Sequence, residues 1–185
     1  MVMYAFTAVD GTRVVFREPR RGDARQFMDL INAVIDEPSS GIMLDRHVDL
    51  RDEVRWVVAR MEGIKKRRLV MLTAEVDGVI KGNCDVTREG WKKSHRSILG
   101  IVLAKDIRGK GIGEALMRRT IDLAEKRLQG LEYIDLSVLG YNERAKSLYS
   151  KLGFVKVARI PDAIKEDGKY VDEVLMTRAV PRRKR

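Results

Sequence analysis

The stretch Ile107–Leu116, "IRGKGIGEAL", places three glycines and two cations at the approach to a helix. A helix start leaves its first backbone N–H groups without intrahelical acceptors, and glycine leaves such groups sterically bare. Two readings fit: a tight turn that holds nothing, or a cradle for an anion. The surroundings favour the cradle. An almost unbroken apolar run, "SILGIVLAK" (97–105), precedes it and reads as a central strand covered on both faces. Residues 111–128 then carry Ile112, Ala115, Leu116, Leu123, Ala124 and Leu128 at helical spacing. Strand, glycine loop and amphipathic helix in that order is the setting in which a phosphate site is credible. The GK[ST] ending of a nucleotide-hydrolase loop is missing. The dinucleotide fingerprint fits poorly, because its loop follows the first strand of a parallel βαβ unit.

Working outward, "RVVFRE" (13–18) predicts a first strand, and "GDARQFMDLINAVIDE" (22–37) a helix with Phe27, Leu30, Ile31, Val34 and Ile35 inward. Asp23 and Gln26 have the spacing of a capping box. A second helix starts near Asp49, buries Leu50, Val54, Val57, Val58 and Met61, and ends in "KKRR" (65–68), as the helix dipole favours. Two extended runs within 68–88 flank Asp77-Gly78, a two-residue hairpin signal. "YIDLSVL" (133–139) predicts a strand and "NERAKSLYSKLG" (142–153) a helix, with "FVKVAR" (154–159) and "YVDEVLMTR" (170–178) as closing strands. The helix-linked strands at 97–103 and 133–139 imply a parallel pair with a right-handed crossover; the hairpins imply antiparallel pairing elsewhere. A mixed α/β sheet follows.

A chain of 185 residues, 44% hydrophobic, reads as one domain over 1–185, with its core at 13–178 and a basic tail at 181–185. No run approaches the length of a membrane span, and the start lacks a secretory cleavage pattern. Cys84 is the single cysteine, which excludes an internal disulfide, and with only two histidines no metal site is expected. A cytoplasmic protein is the resulting expectation. The net charge of +10 points to an anionic partner without naming it; a solvated, ion-paired surface explains it as well.

"RGKGIG" (108–113) satisfies the R/Q-x-x-G-x-G/A signature of the GNAT superfamily of acetyl-CoA-dependent N-acetyltransferases, and "NERAKSLYSKLGF" (142–154) resembles its N-x-x-A-x-x-L-Y-x-x-x-G-F helix. The resemblance in element order covers residues 13–178. It implies a mixed, mostly antiparallel twisted sheet whose central parallel strands splay to hold CoA, with helices on both faces. It implies that Arg108, Gly109, Lys110, Gly111, Ile112 and Gly113 take the cofactor diphosphate, and that Ile101, Val102 and Leu103 pair with the pantetheine arm. A backbone N–H near Val102 would polarise the acetyl carbonyl. Asn142 and Ala145 would contact the cofactor from the second motif, although Asn142 is also a good helix N-cap. Tyr149 is the implied catalytic residue. Its phenol, of pKa ~10, stays protonated to hydrogen-bond the departing thiolate.

The acetyl group would pass by direct attack of a primary amine, on a protein or peptide N-terminus or on a small amine or polyamine. Cys84 has no identifiable histidine partner and is discounted as a nucleophile. Many family members carry a glutamate on the strand before the glycine loop; counting back from Arg108, Ser97 stands in that place. A water relay, a carboxylate from elsewhere, or no dedicated base are the options, with Glu37, Glu75, Asp85 and His95 as candidates. Deprotonating a lysine-like amine at pH 7 costs ~4.6 kcal/mol and an α-amine only ~1 kcal/mol, so a weakly basic site favours an α-amine. Segments 36–49 and 161–170 are expected to recognise the acceptor, with Asp36, Glu37 and Asp45 attracting a cation. The acyl-chain preference stays open, as does a homodimer. Two rival readings remain: a basic nucleic-acid-binding protein, argued from charge, and a CoA-binding sensor of the same fold that transfers nothing.

Overall fold

The computed structural model describes residues 3–38, 40–166 and 168–181. The strands are β1 (Met3–Thr7), β2 (Arg13–Arg17), β3 (Leu69–Val76), β4 (Val79–Arg88), β5 (Arg96–Leu103), β6 (Tyr133–Leu139), β7 (Val155–Glu166) and β8 (Lys169–Ala179). The helices are α1 (Ala24–Ile35), α2 (Leu50–Lys65), α3 (Ile112–Arg127) and α4 (Glu143–Lys151). Strand order is β1-β2-β3-β4-β5-β6-β8-β7, mixed and mostly antiparallel, with β5 and β6 parallel through Arg96↔Tyr133, Ser97↔Ile134 and Ile98↔Asp135. The expected fold class therefore holds. The chain forms two compact units, residues 1–87 with 100–128, and residues 88–99 with 129–185. The proposed tail at 181–185 lies, beyond Pro181, outside the described residues.

In the first unit, Ala24, Phe27, Leu30 and Val34 of α1 and Val57 of α2 pack with Leu69, Met71 and Ile80 from β3 and β4. The β3–β4 turn at Asp77-Gly78 has positive φ at both residues, as a type I′ hairpin requires. Arg17 of β2 is 3% exposed, and its guanidinium forks onto Asp23 (2.7 and 3.0 Å) while Nε donates to Glu75 (2.6 Å). In the second unit, Ile134, Leu136 and Val138 alternate inward along β6, opposite Arg178, Met176 and Val174 of β8.

Six expectations need correction. In the α2 stripe Val54 is exposed, while Glu53 and Val57 are the buried residues of that helix. The first strand is not 13–18: Met3–Thr7 precedes it and pairs with it antiparallel, a strand whose alternate exposure gave no continuous apolar signal. The capping box does not form. Asp23 makes no side-chain hydrogen bond to α1, because it accepts from Arg17 and from the Arg20 N–H (2.6 Å), while Gln26 accepts instead from the Ile80 N–H (2.7 Å). Strand β5 is central but not covered on both faces: Ile98 and Gly100 are exposed. In the α3 stripe Ala115 is only half-buried, and Met117, Thr120 and Ile121 join the core in its place. Residues 161–170 are not a loop, since β7 runs on to Glu166. Pro161 is tolerated because β7 is an edge strand, where the missing N–H costs little, and the register shifts between Ile160 and Ile164.

Candidate functional site

After β5 the chain makes a short 3-10 turn (Lys105–Ile107) and enters the glycine loop. Gly109 (φ +82°) and Gly111 (φ +79°) are left-handed, a conformation that side-chain-bearing residues rarely adopt. Gly111 is the N-cap of α3 and supplies no side-chain cap. A Cβ built on it meets nothing within 4 Å, whereas the next residue, Ile112, is fully buried. The loop is thus anchored from below and bare above. At the start of a 16-residue helix, such a surface favours an anion by about 0.3–2 kcal/mol.

Both cations of the loop are present, and both are paired. Arg108 donates to the Leu103 carbonyl (Nη2 2.7 Å, Nε 3.0 Å) and forks onto Glu37 (2.6 and 3.2 Å). It therefore ties the end of β5 to the segment after α1. Lys110 pairs with Asp10 (2.9 Å), and the Lys110 carbonyl accepts from the Val9 N–H. The 36–49 segment is held at its far end by Asn32, whose side chain accepts from the Val48 N–H (2.9 Å) and donates to the Val48 carbonyl (3.0 Å). Asp36 meets His47 (2.7 Å), while Asp45 is exposed.

Ile101, Val102 and Leu103 are half-buried at the end of β5. Behind them stands Gly82 of β4, where a Cβ would fall 2.6 Å from the Leu103 side chain and 2.8 Å from the Val102 carbonyl. Only glycine admits that approach, and nothing in the sequence beyond an interior strand glycine signals it. Gly100 is looser: a Cβ there would lie 3.4 Å from Oδ1 of Asp85. Asp85 Oδ2 accepts from Thr87 Oγ1 (2.7 Å) and pairs with Arg60 of α2 (3.3 Å). Arg60 lies over the Trp56 ring, 5.0 Å from its centroid. Burial pushes the Asp85 carboxyl above the usual carboxylate range, against the opposing pull of Arg60 and Thr87.

The structure sorts the candidate bases. Glu37 is the partner of Arg108, and Glu75 that of Arg17. His95 packs edge-on against Tyr133 at 6.3 Å. Ser97 is fully buried, with no hydrogen-bond partner for its hydroxyl among the described residues. A longer side chain at 97 would point into the core; the alternation of β5 puts Ile98 and Gly100 on the exposed face instead. Cys84 is fully buried, and desolvation pushes its thiol well above the normal range, which leaves no thiolate to act as a nucleophile. Asp85 Oδ1 and Glu75 Oε1 are the candidate carboxylate oxygens without a hydrogen bond among the described residues, and Glu75 is committed through Oε2 to the buried Arg17.

In the second unit Asn142 is the N-cap of α4, its Oδ1 accepting from the Ala145 N–H (3.0 Å). Tyr149 is 8% exposed, its ring 6.2 Å from that of Phe154, and its carbonyl accepts from the Leu152 and Phe154 N–H groups that close the helix. Before α4, Gly140 packs so tightly on Asp172 that a Cβ would meet it at 3.1 Å. Gly140, Tyr141, Arg159, Tyr170, Val171 and Asp172 line a depression of about 380 Å³. Tyr170 alone among these belongs to the segment 161–170 expected to recognise the acceptor.

Sequence reasoning missed Arg60, Thr87, Gly82 and Glu53. Glu53 of α2 is 8% exposed, and desolvation raises its carboxyl to about 7 despite Arg60. The signal that could have found it is the i, i+3, i+7 stripe Glu53–Trp56–Arg60, polar where an amphipathic helix turns toward its sheet.

Comparison with known proteins agrees with this geometry. The profile of the acetyltransferase (GNAT) family matches residues 35–154. The chain is 26% identical over 165 residues to the L-amino acid N-acyltransferase MnaT of Escherichia coli, covering 86% of this chain and 90% of that protein. It is 29% identical over 122 residues to the L-amino acid N-acetyltransferase AaaT of the same organism, covering 65% and 72%. The crystal structure of yncA from Salmonella typhimurium, solved with its cofactor acetyl-CoA, superposes with a TM-score of 0.80 at 22% identity, covering 93% of this chain and 96% of that one. At that identity the likeness shows the fold.

Proposed function

Because the chain belongs to the GNAT family of acetyltransferases, we propose that it moves an acetyl group from acetyl-CoA to the α-amine of an amino acid or peptide. The observation that carries the donor assignment is the glycine loop. Its two left-handed glycines and the bare N-terminus of α3 fit a diphosphate, and among the described residues nothing beyond the loop and helix backbone itself lies within 4 Å of the Cβ position at Gly111. Acetyl-CoA in the similarly folded yncA supports the same choice. In this reading Arg108 and Lys110 hold the loop in shape through Glu37, Leu103 and Asp10, and the backbone of 109–113 receives the diphosphate. The N–H and carbonyl groups of Ile101–Leu103 serve the pantetheine arm, with Asn142 and Ala145 as the second motif's contribution.

The acceptor assignment rests on chemistry and on relatives. An α-amine of pKa ~7.8 is partly free at neutral pH, so it needs little help to lose its proton. The two curated relatives act on L-amino acids by name. The test is a panel of amino acids, peptides, lysine side-chain analogues and polyamines, with released CoA thiol as the readout. Faster turnover of polyamines than of α-amines at pH 7 overturns the acceptor assignment.

Tyr149 donates a hydrogen bond to the leaving sulfur in this scheme. Full transfer from a phenol to a thiolate of pKa ~8.5 is uphill by ~2 kcal/mol, so partial transfer suffices. Tyr149→Phe is expected to lower kcat about tenfold, the worth of one such bond, with the dissociation constant for acetyl-CoA unchanged. Stopped-flow transfer rates beside calorimetric affinity check it; equal rates remove Tyr149 from the chemistry.

A substitution at the loop separates charge from shape. Asp and Asn are the side-chain-bearing residues that best tolerate the left-handed region. Gly111→Asp is therefore expected to fold while weakening acetyl-CoA binding at least tenfold, and Gly111→Asn to weaken it by less than half as much in free energy. Equal losses in the two variants contradict an anion at this corner.

A further inference from the structure

On the strand before the glycine loop, β5 offers Ile98 and Gly100 on its exposed face, and neither can take a proton. The neighbouring strand β4 carries a carboxylate there. We propose that Asp85, presented beside Gly100 on β4, is the group that takes the proton from the acceptor's ammonium, with Arg60 and Thr87 as the residues that position it.

The two oxygens of Asp85 differ in their surroundings. Oδ2 is fixed by the Thr87 hydroxyl at 2.7 Å and by Arg60 at 3.3 Å. Oδ1 has no hydrogen bond among the described residues, and it faces Gly100. The missing side chain at 100 leaves that oxygen uncovered, since any Cβ would stand 3.4 Å from it. Gly100 directly precedes Ile101–Leu103, the backbone assigned above to the donor's arm. The inference rests on that donor assignment.

The charged and titratable groups around Asp85 are few. Arg60 reaches it from α2, after folding back over Trp56. Glu53, one helical turn before Trp56, bears on the same arginine. From β3 the register partner of Asp85 is the fully buried Met71, which contributes no charge. Burial raises the carboxyl above the usual carboxylate range, while Arg60 and Thr87 pull it down.

The proton and electron balance closes without a further reactant. One ammonium proton passes to Asp85 Oδ1, and the freed nitrogen lone pair forms the C–N bond to the acetyl carbon. The C–S bond breaks, and its electron pair stays on sulfur. A second nitrogen proton ends on that sulfur, and Asp85 releases the first to water. Ammonium and acetyl-CoA become amide, CoA thiol and one proton.

The test compares wild type, Asp85→Asn and Arg60→Gln with an α-amine acceptor from pH 5.5 to 9.5, reading kcat/KM beside acetyl-CoA affinity by calorimetry. If Asp85 takes ammonium, the wild-type profile is flat below the acceptor's pKa until Asp85 itself protonates. The Asp85→Asn enzyme must wait for free amine, so its rate should fall tenfold per pH unit below ~7.8. It is expected about sevenfold slower than wild type at pH 7 and about 60-fold slower at pH 6, with the gap closing by pH 9 and acetyl-CoA affinity unchanged. Arg60→Gln removes a cation that holds the Asp85 carboxyl down, so its acid limb should move to higher pH. An active wild type with an Asp85→Asn rate within twofold at pH 7 and the same profile overturns the inference alone. Should Asp85→Asn fail to fold, an unmoved acid limb in Arg60→Gln overturns it. Wild type that binds no acetyl-CoA overturns the donor assignment, and this inference with it.

Discussion

Asp23→Ala is expected to destabilise the protein by about 3 kcal/mol. Arg17 is 3% exposed and depends on Asp23 for two of its hydrogen bonds. Taking the carboxylate away leaves a buried guanidinium held only by Glu75, itself partly open to solvent, and by the Glu18 carbonyl at 3.2 Å. Removing one partner of a buried pair costs more than the pair is worth, because the survivor keeps its desolvation penalty. The same truncation removes the carboxylate that accepts from the Arg20 N–H. The remaining bonds to Glu75 and Glu18 keep the effect at the lower end of the usual 3–5 kcal/mol range. Replacing the pair together, as Arg17→Met with Asp23→Val, should recover most of the loss. Urea midpoints at constant m report both results. A loss under about 1 kcal/mol for Asp23→Ala contradicts the account.

This ion pair also answers what the abundant charge is for. Asp23 sits at the start of α1, and Glu37 beyond its end meets Arg108. Arg127 at the end of α3 meets Glu18 beside Arg17. Charged residues here fasten helix ends to the strands and to the glycine loop, so a large part of the composition is structural.

Local signals made most of the fold legible. The hairpin at Asp77-Gly78 could be read because the type I′ turn demands positive φ and that dipeptide supplies it. The glycine loop could be read because its glycines are conformationally necessary. Asn142 kept both its meanings, since capping and motif position coincide. What stayed hidden depends on long-range partners. Asp23 had a capping spacing, yet a buried arginine outbid the local N–H groups. Ser97 and Ile98 differ by one position in the count, and in a strand one position exchanges the faces. Gly82 reads as any interior glycine until Val102 and Leu103 are placed against it. Asp85 was one candidate among four, and its place beside Gly100, with Oδ2 bound, shows only once β4 and β5 lie side by side.

Glu53→Gln should make the protein more stable by about 2 kcal/mol at pH 8 relative to its effect at pH 4.5. The Glu53 carboxyl is raised from an ordinary value of 4.5 to about 7, mainly by desolvation, with Arg60 opposing. The folded chain therefore holds this proton more tightly than the unfolded chain does. Between those two pH values the native state binds the extra proton, so stability falls as pH rises through the window and levels off above it. Below the window both states are protonated, and the contribution is fully present. At 8% exposure the carboxylate is screened only in part, which keeps the penalty near 2 kcal/mol rather than the full shift. Glutamine cannot ionise, so the variant lacks this pH-dependent loss, and comparing two pH values cancels whatever its amide costs in the pocket. Chemical denaturation of both proteins at pH 4.5 and 8 measures the double difference. A value near zero would mean that Glu53 ionises as freely in the folded protein as in the open chain. Arg60 would then be offsetting the whole of its desolvation.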